Sequence, residues 1–337
     1  MALHKSPGTI NRKKGIGGSD VAAICGLSKY KTPYQVFLEK RGELPSEDSD
    51  DSEIMRFGRR LEKPVADEFA YRTGRKVWRA TKTLRHPQYK FLLGNIDRFQ
   101  ERDGEQGVLE VKCTDWRMRA GWLNGGVPDA AYLQLSHYLM ITGAHFGSIA
   151  VLFGGNELHY FDIARDEQAI QQLLSLELDF WRRVQEGDAP DYSFGEAGAN
   201  LAKRLYTKAA PGKAILFEGP EHEVKIKRLL QLRQSVKSRE AEMQDLETFL
   251  KMQMGEAETA TFVGVAKLNW KNSTQNRLDL ERLRAEQPAL AAQYMKEIVS
   301  RRFTVSATDP DAIEEDTTPD APLGIVSSGV RQISWED

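Results

Sequence analysis

The stretch LLGNIDRFQERDGEQGVLEVKCTD, residues 92–115, carries the reading of the fold. Asp103-Gly104 is a tight-turn dipeptide between two segments rich in β-branched and apolar residues, which predicts an antiparallel hairpin. Extended segments are expected at 90–101 and 107–113, with Asp97 on the first and Glu110, Val111 and Lys112 on the second. Side chains alternate along a strand, so Glu110 and Lys112 share one face while Val111 and Cys113 take the other. Pairing then carries Asp97 toward the polar face. Two carboxylates at one spot repel unless a cation sits between them. With oxygen ligands and no histidine or cysteine cluster, that cation is a hard ion, Mg²⁺ or Mn²⁺. A lysine beside it can orient or deprotonate an attacking water, or offset charge on a phosphorane-like transition state. Glu/Lys alternation is common on surface strands, so the motif gains meaning only from its context.

Working outward, GIGGSDVAAICGLS (15–28) reads as a glycine turn, a cap at Ser19 or Asp20, and a short helix. No strand is expected before it, and the glycine spacing does not fit a dinucleotide fingerprint. A helix starts at Pro33 and stops at Gly42. Phe57, Leu61, Val65 and Phe69 recur at helical spacing from Ile54 to Tyr71, with Pro64 expected to kink the helix or restart it. Beyond the hairpin come a strand at 76–83 on its amino-terminal side, a helix at 129–142, strands at 147–154 and 157–163 joined by Gly154-Gly155-Asn156, and an amphipathic helix at 166–186. Helices flanking a central mixed sheet make this an α/β (α+β) domain. Its boundaries are set at 1–187, followed by a linker at 188–218 with weak helix, a helical and small β domain at 219–307, and an acidic, disordered tail at 308–337. In the 219–307 region, Leu229, Leu232, Val236, Met243, Leu246 and Leu250 fall near heptad spacing, and Arg239 interrupts them. Packing within a small domain is preferred there over a long coiled coil. TFVGVAKLNWK and SRRFTVSA read as strands around a helical insert at 279–299.

Composition bounds the function. The chain has 337 residues, 40% hydrophobic and 28% charged, with a formal net charge of −2. The acidic charge concentrates in SEDSDDSE (46–53) and in the tail, leaving the remainder modestly basic, with concentrations such as Arg56-Arg59-Arg60. A basic channel can coexist with a neutral total, so DNA binding is permitted. No apolar run is long enough to span a membrane and no secretory signal is seen. Two cysteines exclude a disulfide framework or four-cysteine site and point to a reducing cytoplasm.

Several motifs now fall in a recognisable order. Arg12 precedes GIGGSD with Ser19, and FGRRLEKPVADEFAYRTG carries Glu62 on a helix. LLGNIDRF supplies Asp97, LEVKCT supplies Glu110 and Lys112, and AAYLQLSHYLMITG supplies Gln134. Over roughly residues 10–187 the chain resembles the YqaJ/λ-exonuclease family of phage recombination nucleases, within the PD-(D/E)xK superfamily. The region from 219 resembles an extension found on some phage YqaJ-type recombinases. The resemblance implies a restriction-endonuclease-like core and a Mg²⁺-dependent 5′-to-3′ exonuclease of linear duplex DNA, with Mn²⁺ able to substitute. Asp97 and Glu110 would ligate metal, with the Val111 carbonyl a further ligand. Lys112 would assist the water, and Glu62 would hold a metal-bound water or second ion. Arg12, Ser19 and Gln134 would bind the terminal 5′-phosphate of the DNA. A ring-shaped homo-oligomer (a trimer), a single-strand annealing protein as partner, and a phage- or prophage-encoded setting in a bacterial cytoplasm are implied too.

Four further residues are candidates. Asn95 shares a side with Asp97, and His137, one turn from Gln134, either faces the groove or is a satisfied core histidine. Arg117 and Arg119, with Trp116 and Trp122, can grip DNA or stack on splayed bases, or the tryptophans belong to the core. The competing functions are a site-specific endonuclease or junction resolvase on the same core, and a non-catalytic DNA-binding scaffold. A terminal-phosphate pocket argues against the first, and crowded carboxylates against the second. An iron–sulfur helicase-nuclease is excluded by the cysteine count.

Overall fold

The computed structural model describes residues 14–45, 53–296 and 301–308. Arg12, the acidic segment 46–52 and the tail from 309 lie outside the described residues. The chain divides into two compact units between Leu205 and Tyr206.

The first unit opens with β1 (Ile16–Gly17) running into α1 (Gly18–Ile24). A strand therefore does lie at the glycine turn, two residues long and paired in parallel with Leu92–Leu93. Neither Ser19 nor Asp20 is the cap residue. Gly17 is, and the Asp20 carboxylate, one turn into the helix, accepts the Gly17 N–H at 3.0 Å. α2 (Pro33–Arg41) begins with proline after the Thr32 cap, whose hydroxyl accepts from Gln35 N–H, and ends on Gly42 in the left-handed region. α3 (Glu53–Thr73) runs through Pro64 as one helix, burying Val65, Ala66 and Phe69.

β2 (Lys76–Arg79), β3 (Leu84–Arg85), β4 (Leu92–Gly94), β5 (Arg98–Arg102) and β6 (Glu105–Thr114) follow. The segment expected to be one strand at 90–101 is two, belonging to different sheets: β4 pairs with β1 and β3, while β5 pairs with β2 and β6. The chain breaks register at Asn95–Asp97, so Asp97 sits at the mouth of β5 rather than within a strand. The β5–β6 turn is the predicted one, with Asp103 at φ 55° and Gly104 at φ 81°. α4 (Arg119–Gly125) and α5 (Asp129–Thr142) cross to β7 (Phe146–Phe153), which returns through β8 (Glu157–Ala164) to α6 (Glu167–Glu186).

The larger sheet has the order β2-β5-β6-β7-β8, and only the β6–β7 pair is parallel. Helix α3, three antiparallel strands, helix α5 and a strand parallel to the last of them make the predicted restriction-endonuclease-like core, a mixed sheet with helices on both faces. Leu109 and Val111 of β6 pack against Val65, Ala66 and Phe69 of α3, with Cys113 beside them. Leu135 and Leu139 of α5 join the main core with Ile149 and Val151 of β7. α1 meets α5 so closely at Gly18 that an added Cβ would lie 2.7 Å from the Tyr138 ring. Gly18→Val should therefore cost about 1–3 kcal/mol of stability, read as a lower urea midpoint. An unchanged midpoint would contradict this packing.

Within the stretch read as a linker, α7 (Gly195–Leu205) buries Ala197 and Leu201 as part of the first unit. The second unit holds α8 (Pro220–Met254), the hairpin β9 (Thr259–Phe262) and β10 (Ala266–Asn269), and the short helices α9 (Leu280–Glu286) and α10 (Pro288–Gln293). The strand expected at SRRFTVSA does not form over 301–308. No residue of α8 is buried, contrary to the expectation that its apolar stripe packs within a small domain. Among the described residues, no helix is long and apolar enough to cross a membrane.

Candidate active site

The site gathers where β5 starts, halfway along β6, and on the facing turn of α5. Alternation puts Glu110 and Lys112 on the α5 side of the sheet, opposite Val111. The Asp97 carboxylate accepts the Val111 N–H at 2.9 Å, which locks the pre-β5 bend onto the central strand. Glu110, 2% exposed, receives Lys112 Nζ and Gln134 Nε2 on Oε1, both at 2.7 Å. Lys112 also donates to Gln134 Oε1 at 2.7 Å, closing a triangle of charge-assisted bonds. Gln134 Nε2 reaches the Tyr138 hydroxyl as well, at 3.2 Å. Glu110 Oε2 is buried with no hydrogen-bond partner. A carboxylate oxygen in that state is costly unless a cation or water satisfies it.

Burial, and then the nearby Glu110 and Glu62 carboxylates, hold the Asp97 carboxyl well above the usual range, against the Val111 N–H and Lys112. Burial likewise raises Glu62, partly offset by Arg98. Arg98 connects the two: its guanidinium donates to the Asp97 carbonyl at 2.6 Å and lies 3.8 Å from Glu62. Burial works against the Lys112 charge, but Glu110 beside it leaves the ammonium pKa above its ordinary value.

A cleft of about 330 Å³ opens over this floor, lined by Ser19, Glu62, Asn95, Asp97 and Gln134 together. Glu110 and Lys112 adjoin it through Gln134. Asn95 accepts the Thr83 hydroxyl at 2.5 Å on the cleft wall. Arg59, from the basic Arg56-Arg59-Arg60 concentration, is on the wall too, and sequence reasoning did not place Arg79, Lys82, Arg98 or the buried Asp20–Lys40 pair at 2.5 Å there. They come from α1, α2, α3, the β2–β3 region and β5, and no local pattern announces that they converge. Tyr138 could have been found, since it stands one helical turn after Gln134.

Three candidates fall elsewhere. His137 does not face the groove. It is fully buried, its Nε2 donating to the Leu93 carbonyl at 3.1 Å and its Nδ1 meeting Glu177 at 2.8 Å. Arg117 pairs with Asp115 and Arg119 with Glu157, and neither lines the cleft. Trp122 is a core residue against Phe153 and Phe161.

Comparison with known proteins gives a consistent picture. The YqaJ-like viral recombinase domain matches residues 10–145. The uncharacterized protein YqaJ of Bacillus subtilis (strain 168) is 35% identical over 299 residues, 88% of this chain and 92% of that one. Among solved structures, the alkaline exonuclease LHK-Exo of Laribacter hongkongensis is similar at TM-score 0.44 and 15% identity, covering 58% of this chain and 95% of that chain. A phage related exonuclease from Haemophilus somnus 129PT is similar at TM-score 0.39 and 13% identity, covering 51% and 96%. By its extended identity with YqaJ and the domain match across its first half, the chain belongs to the YqaJ-like viral recombinase family.

Proposed function

We propose that this protein is a Mg²⁺-dependent 5′-to-3′ exonuclease of linear duplex DNA, serving recombination by single-strand annealing. The observation that carries the reading is the convergence of Asp97, Glu110 and Lys112 at one buried spot, with an unpartnered Glu110 oxygen among them. That donor set fits Mg²⁺, which keeps several waters and takes one or two carboxylates plus substrate phosphate. Asp97 and Glu110 would hold the ion, with Mn²⁺ a substitute and the Val111 carbonyl a further ligand. A bound divalent ion supplies Lewis-acid polarisation of the phosphate and a more acidic water.

The chain's own groups do the rest. Lys112, beside Glu110, assists the attacking water or offsets the negative charge that grows on the phosphate oxygens. Glu62 sits at the cleft with a raised pKa and can take up a proton from water. Gln134 fixes the Glu110 carboxylate and the Lys112 ammonium at once, so its amide positions both. Ser19 and Gln134 line the same cleft and are the described members of the 5′-phosphate pocket proposed with Arg12. Arg59, Arg79 and Lys82 supply positive charge for the DNA backbone. A homotrimeric ring and an annealing partner belong to the same proposal.

The test uses linear and circular duplexes with Mg²⁺ or chelator, and linear duplexes with phosphorylated or dephosphorylated 5′ ends. Only linear DNA with metal should disappear, its 5′-terminated strand first. A charged hydrogen bond to phosphate is worth roughly 1.5–3 kcal/mol, so phosphorylated ends should be preferred about tenfold to a hundredfold. Nicking of circles, indifference to the phosphate, or loss of the 3′-terminated strand first would each refute the exonuclease reading.

A further inference from the structure

The second unit lacks a core of its own. Among the described residues from Tyr206 onward, Ala291 alone is buried. Along α8 six apolar residues hold one heptad frame, with Leu229, Val236, Met243 and Leu250 at a and Leu232 and Leu246 at d, while Ile226, Leu230 and Phe249 lie outside it. Val236, Met243 and Leu246 are each more than half exposed (54%, 56% and 58%). A seam of this length is too apolar to be left to water and has the period of a two-stranded coiled coil.

The charges beside the seam say what fits it. Arg228 and Arg233 flank its amino-terminal half, and Glu240, Glu242 and Glu247 flank the rest. A parallel pairing of two copies would set Arg228 against Arg233 and Glu242 against Glu247, and would face Arg239, at a d position, with its own counterpart. An antiparallel pairing removes these three conflicts and instead brings Glu240 and Glu242 of the two copies together at the two-fold axis, where Arg239 offsets them. It packs Leu232 on Leu250 and Val236 on Leu246 of the second copy. Arg233 then lies beside the second copy's Glu247, and Arg239 packs on Met243. Near the two-fold axis both Arg239 side chains meet Glu240 and Glu242 of the two copies. We propose that α8 is a self-complementary interface, pairing antiparallel with α8 of a second copy of this chain.

Sedimentation equilibrium of the full-length protein tests this. Leu232→Asp with Leu246→Asp should weaken self-association by roughly 100-fold or more, halving the assembled mass while circular dichroism keeps its helical signal. An unchanged mass overturns the proposal, including the case in which only thermal stability falls, as expected if the stripe packs within its own chain. Orientation is read with charge variants, which leave the seam intact even if the aspartates unfold it. Glu247→Arg should weaken association by about tenfold, and adding Arg233→Glu should restore it. Tighter association from Glu247→Arg alone is the signature of a parallel pair and overturns the antiparallel assignment. A wild type whose mass is that of the α8 double-aspartate variant also overturns it.

Discussion

Replacing Glu110 with Gln or Lys112 with Ala should slow digestion of linear duplex DNA by about 10²-fold or more, because each removes a charge placed for the transition state. Stability should not follow activity. Glu110→Gln relieves the repulsion that lifts the Asp97 pKa but also removes the carboxylate paired with Lys112, two effects of opposite sign, so the metal-free variant should stay folded. Its response to Mg²⁺ is the second readout. The wild type should gain melting temperature as Mg²⁺ is added, since the ion binds only the folded carboxylate pair, and Glu110→Gln should lose most of that gain. Near-normal turnover by either variant, or an undiminished Mg²⁺ shift in Glu110→Gln, would remove these residues from the active site.

Glu177→Gln should cost about 3 kcal/mol at mildly acidic pH, near the lower end expected when one partner of a buried pair is removed. The replacement amide can still bond a neutral imidazole, which keeps the cost from being larger. Burial alone would lower the His137 pKa, but Glu177 and the Leu93 hydrogen bond hold it above the ordinary 6.5. A folded pKa raised above the unfolded one means stability fully present below 6.5 and lost as pH climbs through the folded value. The gap in melting temperature between wild type and variant should thus be on the order of 10 °C in mildly acidic buffer and narrow in alkaline buffer. A gap that widens with pH would mean the pair is neutral in the folded protein. Leu93 lies on β4 just before Asn95 and Asp97, and His137 just after Gln134, so the pair also ties the two walls of the site together.

Much of this site could be read from the residues because its elements are local. The Asp103-Gly104 turn fixed the hairpin, and strand alternation put Glu110 and Lys112 on one face. The proline start and glycine stop bounded the helix from Pro33 to Gly42. What could not be read depends on distant partners. The break at Asn95–Asp97 arises because β4 pairs with Ile16–Gly17, about 75 residues earlier, and nothing in LLGNIDRF marks that pairing. Gln134 was assigned by resemblance to a phosphate pocket; its bonds to Glu110 and Lys112 come from partners about 20 residues away that no helical spacing reveals. His137 shows the same limit: a helical position narrows where a side chain points, but Glu177, 40 residues on, decides whether it is satisfied.

β6 is held on both sides, by β5 and by β7, over Val108 and Leu109, and by β7 through Thr114. Amide protons at the centre of such a sheet exchange with solvent only when the whole unit opens. Glu110 and Lys112 continue the same strand just beyond its doubly paired segment, held there by β7 on one side. Heating should not produce a folded but inactivated species. Loss of cleavage and loss of the folded first unit should trace one curve.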